Sequence, residues 1–161
     1  MEVVRFTLNG DPVEAGVRAG ETLVQTLRER FGLTGTKQGC DLGDCGACTV
    51  LFDGEPVLSC LVLAADAEGH SVVTIEGLSN GEELHPVQKA FLDEGAVQCG
   101  YCTPGMVLTT TALLDANPDP TEAEIRRALS GNLCRCTGYT KIVRAVRRAA
   151  EASRADGRGG E

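Results

Sequence analysis

The stretch Gly39–Val50 reads GCDLGDCGACTV and places three cysteines and three glycines within twelve residues. The next cysteine is Cys60, so the spacing is Cys-x4-Cys-x2-Cys-x11-Cys. A C-x4-C-x2-C run with a distant fourth cysteine is the plant-type spacing for a [2Fe–2S] cluster. The predicted ligands of a first cluster are therefore Cys40, Cys45, Cys48 and Cys60.

The glycines of this loop have a physical part in the prediction. Three thiolates from one short loop can converge only if the backbone wraps tightly. Gly39, Gly43 and Gly46 permit that wrapping and let backbone N–H groups point at sulfur. Structural zinc is an alternative, although zinc sites prefer paired C-x2-C segments to an x4 interval rich in glycine. Disulfides are the other alternative, and a reducing compartment disfavours them.

The remaining four cysteines form a second set in QCGYCTPG and GNLCRCTGY. Their spacing is Cys-x2-Cys-x31-Cys-x-Cys, and the predicted ligands are Cys99, Cys102, Cys134 and Cys136. Pro104 is suited to starting one helix and Gly131 to ending another, so both pairs lie at helix ends, where a helix N-terminus stabilises negative charge. Neither pair is specific alone, and zinc remains an alternative here. The division of eight cysteines into two fours favours a second cluster.

Composition limits the classes of function. The 161-residue chain has a formal net charge of −8, which argues against a nucleic-acid partner. Its first residues, MEVVRFTLNG, lack the basic start and apolar run of a signal peptide. No segment approaches the roughly 18 apolar residues of a membrane-spanning helix. We therefore expect a cytoplasmic protein without a membrane span, in which clustered cysteines serve metal or redox chemistry.

The chain divides into two parts of different pattern. Alternating apolar segments, with turn dipeptides at Asn9-Gly10 and Asp53-Gly54, predict several strands in the first part, the last of them over SVVTIEG. ETLVQTLRERFG predicts one helix, with Gly32 as its stop signal. After the polar segment EGLSNGEELHP only helical patterns follow. The predicted division is residues 1–76 for the first domain, 77–84 for a linker, 85–152 for a helical domain and 153–161 for a disordered tail.

Start and stop signals define four helices in the second part. Pro86 is suited to a first helical turn, and Thr121 with Glu124 forms a capping box. A second helix begins near Pro104 and ends before Asn117-Pro118. The last helix places its apolar residues on one stripe, formed by Ile142, Val143, Val146, Ala149 and Ala150.

No catalytic residue is predicted on this chain. His70 lies in a predicted turn and His85 precedes a proline, so each fits a surface or capping role better than that of a base. Asp41 and Asp44 belong to the cysteine loop and are expected to face solvent. The sequence contains neither G-x-G-x-x-G nor a P-loop, so a flavin would have to be held by another chain.

The two cysteine motifs closely resemble those of the iron–sulfur subunit of the molybdenum hydroxylases, the xanthine dehydrogenase family. GCDLGDCGACTV resembles that family's first-cluster loop, and QCGYCTPGM with GNLCRCTGY resembles its second. The resemblance extends from about residue 3 to about residue 150. It implies the α+β class, with an N-terminal β-grasp ferredoxin-like [2Fe–2S] domain followed by a C-terminal four-helix-bundle [2Fe–2S] domain.

The resemblance also implies cofactors and partners. Two [2Fe–2S] clusters would relay electrons singly from a molybdopterin cofactor on a large subunit to FAD on a medium subunit, in a dimer of heterotrimers. In family members the helical-domain cluster lies beside the pterin and the other cluster faces the flavin. Carried over by motif, Gln98 is expected to hydrogen-bond the pterin, and Cys136 to be the cluster ligand nearest to it.

Three alternatives to this function stay open at the level of sequence. One is the small subunit of a reductive family member of the 4-hydroxybenzoyl-CoA reductase type, in which electrons flow toward molybdenum. Another is a zinc-stabilised scaffold without a redox role. The third is a free-standing ferredoxin with two clusters.

Overall fold

The N-terminal part of the chain is a mixed five-stranded sheet, and the C-terminal part is helical. The computed structural model describes residues 1–155 and 157. The strands are β1 (Glu2–Leu8), β2 (Asp11–Val17), β3 (Thr49–Phe52), β4 (Glu55–Leu58) and β5 (Ser71–Val73). The helices are α1 (Leu23–Glu29), α2 (Pro86–Asp93), α3 (Thr103–Ala116), α4 (Glu122–Ala128) and α5 (Thr140–Ala155). Single 3₁₀ turns are formed by Ala64–Ala67, Ile75–Gly77 and Leu129–Gly131.

Two hairpins and one inserted strand build the sheet. The turn of the β1–β2 hairpin is at Asn9 and Gly10, with φ of 52° and 91°. Asp53 and Gly54 form the β3–β4 turn with φ of 49° and 87°. Strand β5 lies between the hairpins, parallel to β1 and antiparallel to β3, which gives the order β2-β1-β5-β3-β4. Both predicted turns are confirmed, and each uses the positive φ that Asn, Asp and Gly tolerate best.

Helix α1 covers one face of the sheet. Its Leu23 and Leu27 are fully buried and share a core with strand residues that include Val4, Val50 and Val72. Helix α1 is shorter than predicted: it ends at Glu29, with Arg30 as its C-cap, and does not continue to Gly32. The segment SVVTIEG was also predicted as one strand, but only Ser71–Val73 pairs in the sheet.

The four C-terminal helices enclose a second core. Buried residues of α2, α3, α4 and α5 form one cluster, which includes Phe91, Met106, Ile125, Ile142 and Val146. Helix α3 is buried all round from Pro104 to Thr111, because it packs against β3 and β4 of the first domain as well as against α2 and α4. The predicted α+β class with a sheet domain and a four-helix domain is confirmed. Helix α3 joins the two.

The predicted boundary of the C-terminal tail was wrong where the structure describes it. Helix α5 continues to Ala155 instead of ending at residue 152. The guanidinium of Arg154, in the last turn of α5, forms an ion pair with the carboxylate of Asp119. Of the predicted tail, residues 156 and 158–161 lie outside the described residues. None of the helices in the described part is long and apolar enough to cross a membrane.

Glu21 supports the entry to α1 through a set of short hydrogen bonds. Its carboxylate accepts from the Arg30 guanidinium at 2.6 and 2.7 Å and from the Thr26 hydroxyl at 2.8 Å. The Glu21 side chain is only 9% exposed. The Arg30 hydrogen bonds lower the pKa of Glu21 from 4.5 to about 2, against the opposing effect of burial. Glu21 therefore stabilises the fold as an anion.

Glu21→Gln should lower the free energy of unfolding at neutral pH by about 2 kcal/mol, since charged hydrogen bonds contribute roughly that much. The pKa of Glu21 is lower in the folded state, so its contribution is complete above pH 4.5 and is lost as the pH falls toward about 2. Thermal unfolding of both proteins across this range should give melting temperatures that converge on acidification. A difference that stays constant with pH would contradict this role. Glu14→Gln is the matched control, because Glu14 and Arg5 form an exposed pair and its loss should have little effect.

Candidate metal centres

The first cysteine set surrounds a loop that aims backbone N–H groups at sulfur. The Sγ of Cys40 accepts three such groups, each at 3.4 Å. The donors are Leu42, Asp44 and Cys45. These hydrogen bonds lower the pKa of Cys40 from 9.0 to about 7. The loop therefore stabilises a thiolate, which is the form of cysteine that binds iron.

The four thiols of this set interact in two pairs. The side chains of Cys40 and Cys45 contact each other, as do those of Cys48 and Cys60. Val24 and Leu58 pack around the second pair. Burial, with the Cys48 contact, raises the pKa of Cys60 to about 11. Cys60 also interacts electrostatically with Cys40, which links the two pairs of this set.

The second set is assembled at the start of α3 and in the loop before α5. Cys102 is the N-cap residue of α3, which agrees with the predicted helix end. Its thiol interacts with that of Cys134, and the thiol of Cys99 interacts with that of Cys136. Burial, with the Cys134 contact, raises the pKa of Cys102 to about 12. Electrostatic interactions between Cys102 and Cys99 and between Cys136 and Cys134 link the two pairs.

Two residues that the sequence analysis did not single out support the second set. Thr137 donates its backbone N–H at 3.4 Å and its hydroxyl at 3.1 Å to Cys134 Sγ. Burial opposes ionisation of Cys134, but hydrogen bonds from Thr137, together with those from Cys136 and Cys102, outweigh it and lower the pKa of Cys134. The hydroxyl oxygen of Tyr139 accepts the Cys134 N–H at 2.9 Å. The signal in the sequence was their position close to the cysteine pair in CRCTGY, where Thr137 follows Cys136 and Tyr139 comes two residues later.

The donor set fits [2Fe–2S] clusters. Each iron of such a cluster needs two protein thiolates, and the thiols here interact two by two. Within residues 1–155 and 157, no three Cys, His, Asp or Glu side chains form a group that could hold one metal ion. Space is also kept at the first site, because a Cβ on Gly39 would lie 2.9 Å from Cys45 Sγ.

Hydrogen bonds join the two cysteine loops directly. The Leu133 N–H donates to the carbonyl oxygen of Cys45 at 2.9 Å, and the Tyr101 hydroxyl donates to the carbonyl of Gln38 at 2.7 Å. Asn132 is 5% exposed and donates from Nδ2 to the Gly46 carbonyl at 3.1 Å. Sequence analysis missed these contacts, because the partners in each lie at least 63 residues apart in the chain.

Each cysteine set reaches the surface on one side. Gln98, Cys99 and Cys136 are exposed next to the second set. Beside the first set, Leu42 and Leu61 are 74% and 62% exposed. Gln98 and Cys136 are both exposed, and the thiol of Cys99, the residue after Gln98, interacts with that of Cys136.

The candidate catalytic side chains are accounted for by structural contacts. His70 Nδ1 lies 2.6 Å from Asp53 Oδ2 in an exposed turn, and His85 caps α2 by accepting the Val87 N–H at 3.3 Å. Asp41 and Asp44 are exposed, as predicted. None of the four forms a nucleophile–base pair in the contacts that the structure shows.

Comparison with known proteins agrees with this arrangement. Residues 6–72 match the model of the 2Fe-2S iron-sulfur cluster binding domain, and residues 74–147 match that of the [2Fe-2S] binding domain. The nicotinate dehydrogenase small FeS subunit of Eubacterium barkeri is 53% identical over 148 residues, which cover 92% of this chain and 94% of that protein. The xanthine dehydrogenase iron-sulfur-binding subunit of Escherichia coli O157:H7 is 52% identical, with 89% and 91% covered.

A solved structure extends the likeness to the fold. A chain of quinoline 2-oxidoreductase from Pseudomonas putida 86 superimposes with a TM-score of 0.92 at 49% identity, covering 96% of each chain.

Fold and sites together define a protein with two [2Fe–2S]-binding domains. The chain belongs to the family of iron–sulfur small subunits of the molybdenum hydroxylases, the xanthine dehydrogenase family. It is an electron-transfer subunit of an oxidoreductase. The comparisons give no support to a zinc-stabilised scaffold or to a reductive family member.

Proposed function

We propose that this chain relays electrons one at a time from a molybdopterin site on a large subunit to FAD on a medium subunit. The observation that carries the proposal is the pair of cysteine quartets, which are joined by hydrogen-bonded loops and are exposed at their outer sides. A protein with this arrangement can accept an electron at one surface and release it at another. A bound [2Fe–2S] cluster supplies one-electron chemistry at each quartet.

The eight cysteines have the roles of cluster ligands in this proposal. Cys40, Cys45, Cys48 and Cys60 hold the first cluster, and Cys99, Cys102, Cys134 and Cys136 hold the second. Backbone N–H groups around Cys40, and Thr137 at Cys134, hydrogen-bond to thiolate sulfur. Such hydrogen bonds and burial are the means by which a protein tunes the potential of a cluster.

The exposed surface beside the second quartet faces the large subunit in this proposal. Gln98 has an exposed side chain next to an exposed cysteine pair, Cys99 and Cys136. The side-chain amide of Gln98 can donate hydrogen bonds from its NH2 group and accept them at its carbonyl oxygen. This suits the edge of a pterin that carries amide and ring-nitrogen atoms. The surface around Leu42 and Leu61, beside the first quartet, faces the FAD subunit.

The complex purified anaerobically through a tag on the full-length chain tests the relay. We expect molybdenum, pterin and FAD to be recovered with the chain. After a short flash of deazaflavin photoreduction, the EPR signals of both clusters should appear before reduction of the flavin. A chain that carries zinc, or whose reduced clusters never pass electrons to the flavin, would refute the relay.

Gln98→Leu tests the contact with the pterin. The substitution removes the amide but leaves the cysteines in place, so iron per chain should be unchanged. The first electron should reach the nearer cluster several-fold more slowly, because the hydrogen-bonded contact is lost. Unchanged pterin occupancy together with an unchanged rate would rule out this role for Gln98. Gln98→Glu keeps the side-chain length and one acceptor, so its electron-transfer rate should lie between those of the wild-type and Gln98→Leu proteins.

We also propose a quaternary structure, a cellular location and a domain division for this chain. The complex is a dimer of heterotrimers, and its mass in solution tests this. The location is the cytoplasm, which suits a chain whose eight cysteines form no disulfide. The domain division is 1–76 for the first domain, 77–84 for the linker, and a helical domain that begins at residue 85 and includes α5 to Ala155. Ile75 and Leu78 pack against the helical core, which favours a boundary at the early end of that linker.

A further inference from the structure

The second quartet has a side-chain hydrogen-bond donor to sulfur that the first quartet lacks. The hydroxyl of Thr137 donates to Cys134 Sγ at 3.1 Å, and the Thr137 backbone N–H donates to the same sulfur at 3.4 Å. Within residues 1–155 and 157, no other hydroxyl donates to a cysteine sulfur. In the first quartet, Cys40 accepts its three hydrogen bonds from backbone N–H groups. The two quartets therefore differ in a group that one substitution can remove.

Tyr139 holds the Thr137 hydroxyl in place through a ring of three hydrogen bonds. The backbone N–H of Tyr139 donates to Thr137 Oγ1 at 3.2 Å. Because that oxygen already accepts a hydrogen bond, the rotation of the hydroxyl is restricted and its single proton is a stronger donor to sulfur. The phenolic oxygen of Tyr139 in turn accepts the Cys134 N–H at 2.9 Å. The ring thus passes through Cys134, Thr137 and Tyr139.

The backbone of Tyr139 has an unusual conformation that closes this ring. Its φ is 69°, and Gly138 before it has a φ of 65°. Large side chains rarely adopt a positive φ, so surrounding contacts must hold the residue there. The Tyr139 carbonyl accepts the Val143 N–H at 2.9 Å as α5 begins, and its side chain packs against the core of the helical domain. The ring is therefore fixed to α5 and to that core.

Hydrogen bonds to sulfur change the reduction potential of an iron–sulfur cluster. A [2Fe–2S] cluster gains one negative charge when it takes up one electron, and a donor to a thiolate stabilises the more negative state more strongly. Cys134 is half-buried, whereas Cys99 and Cys136 are exposed. Water screens a charge less where the group is buried. A hydrogen bond to Cys134 should therefore affect the potential more than one to an exposed ligand.

We propose that the Thr137 hydroxyl raises the reduction potential of the second cluster, and that Tyr139 is the residue that positions this hydroxyl. The inference rests on the proposed relay, in which the second cluster receives each electron from the large subunit. A higher potential at this cluster favours that transfer. The donor on the large subunit loses one electron and the cluster gains it. Thr137 keeps its proton, and no bond is formed or broken.

Thr137→Val tests the hydroxyl, because valine has nearly the same shape and keeps the backbone N–H that donates to sulfur. Thr137→Ser restores the hydroxyl. Thr103→Val is the matched control, since Thr103 follows Cys102 and is among the described residues whose hydroxyls do not donate to sulfur. Tyr139→Phe removes the acceptor of the Cys134 N–H and so loosens the ring.

EPR redox titration of the purified complex gives the potentials of both clusters. We expect Thr137→Val to lower the ratio of reduced to oxidised second cluster about tenfold at a given potential, which is about 59 mV for one electron. Thr137→Ser and Thr103→Val should keep the wild-type potential, and Tyr139→Phe should lie between wild type and Thr137→Val. The first cluster should be unchanged in all four variants. Equal potentials for Thr137→Val and Thr137→Ser would overturn the role of the hydroxyl, and a wild-type potential in Tyr139→Phe would remove Tyr139.

A measurement on the wild-type complex covers failure of the valine variant to load its second cluster. After brief exchange into D₂O, which labels hydroxyls before hydrogen-bonded amides, deuterium ENDOR of the reduced second cluster should show a coupled deuteron. The deuteron should remain in Thr137→Ser, and its absence from both proteins would overturn the hydrogen bond. If the wild-type complex holds no second [2Fe–2S] cluster, or passes no electron to it, the proposed relay fails. A loaded, reducible cluster whose potential ignores Thr137 contradicts only the present inference.

Discussion

Replacing Cys48 with serine should remove the first cluster and leave the second in place. Cys48 is 2% exposed and its thiol contacts that of Cys60. A serine hydroxyl in the same position is a hard oxygen donor that ionises poorly, and iron–sulfur clusters are held by thiolates. Iron should fall from about four to about two per chain, and electron delivery to the flavin should stop.

The complementary substitution is Cys102→Ser in the second quartet. Cys102→Ser should remove the EPR signal of the second cluster and leave that of the first cluster, because the two cysteine sets are held by separate domains with separate cores. Asp44→Asn is the control, since Asp44 is exposed next to Cys45 and supplies only its backbone N–H to sulfur. Loss of the same signal from both cysteine variants would contradict the assignment of the ligands to two independent sites.

Gly105→Ala should destabilise the protein, although the same change stabilises most helices. Gly105 lies in the first turn of α3, where alanine is ordinarily favoured by about 1 kcal/mol over glycine. Here a Cβ would lie 2.5 Å from the Gly46 carbonyl oxygen and 3.1 Å from Asn132 Nδ2. The backbone at Gly46 cannot move aside as the end of a flexible side chain can. Helix α3 must therefore move away from the first cysteine loop. Overpacking of this kind costs about 1–3 kcal/mol.

Thermal unfolding and limited proteolysis measure the effect of Gly105→Ala. We expect a lower melting temperature and faster cleavage in residues 77–84, because α3 joins the two domains. Gly131→Ala is the matched control, since a Cβ there has no atom within 4 Å and its φ is not positive. A Gly105→Ala protein as stable as the Gly131→Ala protein would show that the close approach of α3 to Gly46 does not matter.

Local chemistry explains which parts of the fold were predictable. Asn9-Gly10 and Asp53-Gly54 specify hairpin turns through their own φ preferences. Thr121 and Glu124 form the predicted capping box, with the Glu124 N–H donating to the threonine hydroxyl at 3.3 Å. Each of these signals lies within a few residues, so the sequence was sufficient.

The cysteine sets have a local signal, but their connection has none. Spacing predicts two sets of four, and the thiols interact with others of the same set; the assignment of each set to a cluster stays a prediction. Asn132 gave no such signal, because its partner Gly46 is 86 residues away and an asparagine after a helix is ordinary. Gly105 resembled any glycine near a helix start. The order of the strands was not predicted either, because it depends on long-range pairing of β5 with β1 and β3.

We expect the eight thiols to hold two [2Fe–2S] clusters as separate quartets. Chemical analysis of anaerobically purified full-length chain in its complex tests it directly. We predict about four irons and about four acid-labile sulfides per chain, no zinc, and two distinct EPR signals after full reduction. Iron and sulfide well below these amounts, or a single signal accounting for all the iron, would contradict it.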